Sequence, residues 1–309
     1  MNTTKTRRRR QKRRAGSKTL KRMNCNPIVK GKTVAGDSCF TPDVLKKLQK
    51  SYNTHHPENP VGGSRPQHIW IQLKDRLSKC TKEDCWLNVI DDAAERKKLD
   101  TLTFAPDHPQ EWKRDPNSWL SNFDIFNVLH QYESEYQNFK IIGPTPIDFD
   151  TRSPEPNGKC VWEELCHFSV KGAMRSGKTK IAVIFNLSKS TEAGTHWVSL
   201  FVDLDDHFIF YFDSTGDEIP QEIDALVKRI QAQSAEEGTK LKYYDNRGIS
   251  HQEGNTECGM YSLFFVITML TGEIKENKLS TCRQKIAFFR GKRIPDEFVS
   301  RYRKQYFND

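Results

Sequence analysis

Long apolar runs are missing from this 309-residue chain. The most hydrophobic stretch, Leu263 to Leu270, is far too short to cross a bilayer as a helix. The basic first residues lead into Thr19-Leu20-Lys21-Arg22 and not into an apolar segment, so no secretory signal is expected. Cysteine is sparse, with eight in the chain, a density that fits a reducing compartment better than a disulfide-stapled secreted fold. No G-x-S-x-G occurs, which argues against a serine nucleophile on a strand-to-helix elbow. Acidic residues are absent from residues 1–22, where eleven Lys or Arg lie between Lys5 and Arg22. The whole chain carries +9, so the part outside that arm stands at −2, close to neutral. Such a segment cannot bury apolar surface and repels itself. It reads as a disordered cationic arm suited to nucleic acid or another polyanion, with nuclear targeting and solubility also open.

Residues 23–105 read as a helical accessory region. Thr41 caps a helix that carries Val44, Leu45 and Leu48 on one face, and a second helix follows through Ile69, Leu73 and Leu77. Residues 56–64 between them are a loop by composition. Cys80 and Cys85, with Cys25 and Cys39 upstream, match no common zinc spacing, so core packing is expected and no metal. Beyond this region Asn117 or Ser118 caps an amphipathic helix through Leu120, Phe123 and Val128, placing Trp119 in its first turn. Strands are expected at 180–187, 196–204 and 207–213, then a helix from Pro220 through Ile230, a short strand at 241–244 and an apolar helix after residue 258. Strands and helices in this order predict an α+β body.

Gly172-Ala173-Met174-Arg175-Ser176-Gly177-Lys178-Thr179 spells G-x-x-x-x-G-K-[ST]. A phosphate-binding loop needs a helix opening at its Lys-Thr, so that backbone N–H groups point at the phosphates. The residues after Thr179 alternate as a strand, and the run is read as a turn.

The stretch from His251 to Tyr261 has the makings of a site. Cys258-Gly259 stands where a polar turn becomes the apolar helix. A cysteine there meets unpaired N–H groups and the positive end of the macrodipole, both of which favour thiolate, and Gly259 leaves room for a substrate carbonyl. Most cysteines on apolar helices are core thiols, so the partners must decide. His196 opens one expected strand and Asp213 closes the next. With the chain reversing at Leu204-Asp205 the two are directly opposed on one face, where the carboxylate can orient the imidazole as the thiol's base. Gln252, six residues before Cys258, can add a side-chain amide to the Cys258 N–H as oxyanion donors. The four residues together predict a thiol hydrolase, with no cofactor called for.

His196-Trp197, Tyr211-Phe212-Asp213-Ser214 with the aspartate seventeen residues after the histidine, and Gln252 followed after five residues by Cys258-Gly259 form a recognisable order. It resembles the signature of the superfamily joining adenovirus protease to the SUMO-deconjugating cysteine proteases. Asn117-Ser118-Trp119-Leu120-Ser121-Asn122 resembles the Trp-Leu-Asn-Asp segment that lines the substrate groove there. Asn24-Cys25-Asn26-Pro27 and Ser38-Cys39-Phe40-Thr41 look more like the polyprotein-processing proteases of large DNA viruses, of the African swine fever virus type. The resemblance implies a papain-like core over 106–285, with a central mixed sheet flanked by helices, and a helical tail at 286–309. It implies Cys258 as nucleophile, His196 as base and then acid, Asp213 as orienter and Gln252 as oxyanion donor. Trp119, Asn122, Trp197 and Gly259 would bind substrate, with the two indoles forming a narrow channel for Gly-Gly. The implied activity is cleavage of Gly-Gly-x sites in structural polyproteins within assembling particles, in the virion and the host cytoplasm. The alternatives are a deconjugase of a ubiquitin-like modifier using the same residues, and a non-enzymatic nucleic-acid-binding virion protein. Two positions depart from the pattern: Glu257 replaces the usual Asp before Cys-Gly, and Asn122 stands where modifier-cleaving members carry an acid.

Overall fold

A computed structural model describes residues 20–34, 36–153, 158–274 and 277–309. The chain divides into two units, residues 1–23 with 31–102 and residues 24–30 with 103–309. In the first unit Thr41 accepts the Val44 N–H and Pro42 fills the first position of α1 (Pro42–His55), which buries Leu45, Leu48 and Tyr52. Helix α2 (Pro66–Arg76) buries Ile69 and Leu73, and α3 (Ala93–Thr103) follows. A 3-10 turn at Asp84–Val89 seats the fully buried Trp86 against Phe40. Buried Glu83 accepts from the Cys39 N–H (2.9 Å) and the Trp70 indole (2.6 Å); burial pushes its pKa up against the pull of those bonds.

Of the expected basic arm, residues 1–19 lie outside the described residues. Lys21 donates its backbone N–H to Thr81, and Arg22 stands 3.7 Å from Asp37 in solvent. The expectation of reduced cysteines is corrected: Cys25, Cys39, Cys80, Cys85, Cys160 and Cys166 are all disulfide-bonded. Cys80 and Cys85 form a disulfide, as do Cys160 and Cys166, because turns of five and six residues bring their Cα atoms to 5.6 and 6.3 Å. Cys258 and Cys282 are free.

The second unit is built on a five-stranded sheet. Helix α4 (Asn122–Glu135) leads into β1 (Phe139–Pro146), and two short helices, α5 (Glu163–Cys166) and α6 (Val170–Arg175), precede β2 (Lys180–Asn186). Next come β3 (Trp197–Asp203), β4 (Phe208–Phe212), α7 (Gln221–Glu236), β5 (Lys242–Asp245) and α8 (Cys258–Thr271). A small ribbon, β6 (Glu273–Ile274) with β7 (Asn277–Lys278), then leads to α9 (Cys282–Phe289), α10 (Asp296–Ser300) and α11 (Arg303–Tyr306). The strand order is β1-β2-β3-β4-β5, antiparallel in the centre and parallel at both outer pairs. Both faces of the sheet are covered, so its central strands are apolar at nearly every position. Phe208, Phe210 and Phe212 of β4 face the layer holding α4 and α8, while Ile209 and Tyr211 face the layer holding α7. Every residue of α8 from Cys258 to Leu270 is buried, which accounts for a helix apolar all round.

Strand β1 is absent from the sequence reading because Pro144 and Pro146 lie inside it. Proline is tolerated there because β1 is an edge strand. Helix α4 begins at Asn122, later than expected, so Trp119 lies in the loop before it. The G-x-x-x-x-G-K-T run spans the end of α6 and a turn at Gly177 (φ 73°) that runs into β2; no helix opens at Lys178.

Candidate active site

His196 and Asp213 flank the hairpin of β3 and β4 at its open end. Ser199 pairs with Phe212, so the reversal takes Leu204 to His207 and Asp213 stands two residues out of direct opposition to His196. His207 takes the left-handed conformation at φ 57° in that turn. The expected Leu204-Asp205 turn is therefore corrected, yet a two-residue offset keeps both side chains on one face. They meet diagonally, His196 Nε2 lying 2.7 Å from Asp213 Oδ1. The same oxygen accepts from the Thr215 N–H (2.9 Å) and hydroxyl (2.8 Å), and Asn246 brackets the Asp213 backbone, accepting its N–H and donating to its carbonyl.

Nε2 is committed to Asp213, and Cys258 is the second group that acts on the His196 ring. Burial by itself disfavours the imidazolium. Asp213, through its hydrogen bond and its charge, and after it Cys258 outweigh it and raise the His196 pKa to about 10. Cys258 is the first residue of α8, where its backbone N–H has no intrahelical acceptor. An oriented imidazole, a thiol at a helix start and a free N–H beside it can carry out nucleophilic acyl transfer.

The loop before Cys258 is held from several sides. The His251 and Gln252 N–H groups both reach the Ser214 carbonyl, at 2.8 and 2.9 Å. Gln252 Oε1 accepts from the Ser214 hydroxyl (2.8 Å), and Nε2 gives one hydrogen to the Gly254 carbonyl (2.7 Å), leaving its second for another acceptor. Asp296 accepts the Glu253 and Gly254 N–H groups and the Tyr261 hydroxyl. His251 is fully buried, accepting the Ile294 N–H at Nδ1 and reaching the Phe289 carbonyl with Nε2. Burial lowers its pKa, so it is a neutral structural imidazole.

Trp119, Asn122 and Trp197 share the lining of one cavity of about 540 Å³. Trp119 is 41% exposed, while Trp197 is buried and donates its indole N–H to the Leu120 carbonyl (3.1 Å). Gly259 lies behind this wall and is not among the cavity's lining residues. A Cβ on it would stand 3.1 Å from Leu120 Cβ and 3.4 Å from the Trp197 ring, so its missing side chain serves packing of the wall. Sequence reasoning missed Thr215, Asn246, Asp296 and Arg303, each an unremarked polar residue until the fold assembles it.

The catalytic-domain model of the Ulp1 protease family matches residues 177–307. A protein of Acanthamoeba polyphaga mimivirus described as a thiol protease is 30% identical over 266 residues, covering 79% of this chain and 84% of that one. The chain belongs to the Ulp1 protease family. It is a cysteine protease, as its relatives are. The cysteine protease of African swine fever virus is 26% identical over 281 residues, 88% of this chain and 91% of that one. The fold agrees with the crystal structure of an African swine fever virus protease, at a TM-score of 0.62 and 20% identity over 94% of this chain and 97% of that one. The α+β architecture with a mixed sheet is thus that of a Ulp1-family protease.

Proposed function

We propose that this cysteine protease is a papain-like endopeptidase that cleaves after Gly-Gly in viral structural polyproteins during particle maturation, in the virion and host cytoplasm. The observation that carries the catalytic assignment is the 2.7 Å bond between Asp213 and His196, an imidazole on which the thiol at the start of α8 also acts. In this reading the Cys258 thiolate attacks the carbonyl carbon of the second glycine. The resulting oxyanion is held by the Cys258 N–H and the free amide hydrogen of Gln252. The scissile C–N bond breaks as His196 protonates the leaving amine. Water, deprotonated by His196, then hydrolyses the thioester and returns the thiolate. Trp119 and Trp197 on one cavity wall support a channel for residues without side chains, and the two-virus relationship of the sequence supports a viral precursor as substrate.

A second reading has a specific support: in other isolates of African swine fever virus the related protein is described as a SUMO-1 cysteine protease. A deconjugase would use the same four residues on a folded modifier. Asn122 at the cavity edge, in place of an acid, favours the polyprotein reading.

Labelling with a Gly-Gly peptide bearing a thiol-reactive group, followed by peptide mapping, tests the assignment. Selective modification of Cys258 that disappears in His196→Ala is expected. Labelling spread over other cysteines, or indifferent to His196, would overturn it. Faster cleavage of a folded modifier fusion than of short Gly-Gly-x peptides would move the second reading ahead of the first.

A further inference from the structure

Glu257, the residue before the nucleophile, is 5% exposed, and it is paired with an equally buried arginine from α11. Arg303 donates Nη2 to Glu257 Oε1 (2.7 Å) and Nε to Oε2 (3.2 Å), a two-point fork. Its remaining nitrogen, Nη1, reaches the carbonyls of Pro116 (3.2 Å) and Ser118 (3.3 Å), the segment that runs directly into Trp119. The guanidinium also lies 4.3 Å from the centre of the Trp112 ring, and that indole donates to the same Ser118 carbonyl (2.9 Å). One side chain thus ties the residue before Cys258 to the strand of chain that forms the groove wall. A buried ion pair is poor evidence of stability by itself, since desolvation offsets much of its attraction. Its placement across the site calls for another account.

An uncompensated carboxylate beside Cys258 would oppose a second negative charge on the sulfur. Glu257 is paired with Arg303 of α11, its charge acts on Tyr261 of α8, and Cys258 follows it directly in the chain.

We propose that Arg303 is a positioning residue of the active site, neutralising Glu257 so that the thiolate can form and fixing the Trp119 wall at its distance from the nucleophile. This inference rests on the catalytic assignment of Cys258 and His196. Its two functions separate experimentally, because the positive charge acts on Glu257 and Nη1 acts on geometry.

The test compares full-length wild type with Arg303→Met, Arg303→Lys, Glu257→Gln and the Glu257→Gln/Arg303→Met pair. The readouts are kcat and KM on a Gly-Gly-x peptide, and the pH dependence of both kcat/KM and Cys258 alkylation by iodoacetamide. In Arg303→Met the acidic limb is expected to move up by about one pH unit, with kcat/KM down roughly tenfold at neutral pH. The double variant should return the limb to its wild-type position while KM stays raised, since Pro116 and Ser118 remain unheld. Arg303→Lys, which keeps charge and loses the fork, should raise KM and leave the limb in place; it decides the matter if Arg303→Met does not fold. A folded Arg303→Met with an unmoved limb and unchanged KM overturns the proposal, as does a double variant no better than the single one. The alkylation profile needs no peptide substrate. If wild-type alkylation of Cys258 is indifferent to His196, the catalytic assignment itself has failed, a result separate from either of those.

Discussion

At the scale of single residues, the charge state of His196 sets how the site answers to pH. Asp213 and Cys258 raise its pKa to about 10 against the effect of burial. A raised histidine pKa contributes stability that is whole below the ordinary histidine range and is lost as pH rises through about 10. Activity that needs the imidazolium to protonate the leaving amine follows the same course. Asp213→Asn is expected to lower kcat by roughly 10²- to 10⁴-fold and to bring the basic limb of kcat/KM down toward the ordinary histidine value. A basic limb that stays put would show that some group other than Asp213 holds the proton. The pair was legible in the sequence because faces alternate along a strand: a turn one residue later than expected slips the pairing by two, and the side chains still meet. Arg303 was not legible. Nothing in its neighbours separates it from Arg301, and a buried guanidinium becomes visible only when Glu257 and the Ser118 carbonyl are brought to it.

At the scale of elements, caps and strand edges decide what can be read. The run Asn117-Ser118 looks like a helix cap, but the cap used is Ser121. Its hydroxyl accepts the Asp124 N–H, and Asp124 accepts the Ser121 N–H (2.8 Å), completing a capping box. That shift of three or four residues moves Trp119 from a helix into the loop facing the cavity. Ser121→Ala is expected to cost about 1 kcal/mol in denaturant unfolding, with KM for the Gly-Gly-x peptide rising more than kcat falls. An unchanged midpoint and unchanged KM would mean that the wall is held without the cap. Strands β2 to β4 announce themselves by branched and aromatic residues, whereas β1 hides behind its prolines, since a ladder position that needs no N–H leaves no pattern to read.

At the scale of the whole molecule, the cationic arm and the near-neutral remainder suggest a division between holding and cutting. Full-length protein is expected to bind duplex DNA with an affinity that falls steeply with salt, and a variant lacking residues 1–22 should not bind while cleaving short peptides at the wild-type rate. Binding that ignores salt, or survives the truncation, would assign the contact to residues 23–309 and not to the arm.

The residues that meet at the site are spread along the chain in a telling order: the wall at 118–122, then His196, Asp213, Gln252 and Cys258, and last Asp296 and Arg303. During synthesis the nucleophile is therefore made before the two side chains that brace the loop leading to it. At about 5–20 residues per second, roughly 2–9 s of translation separate Cys258 from Arg303. On the role inferred for Arg303, a nascent chain in that interval carries all four reacting side chains around a weakened site. On that role the site reaches its full activity only once residue 303 has been made and folded into place.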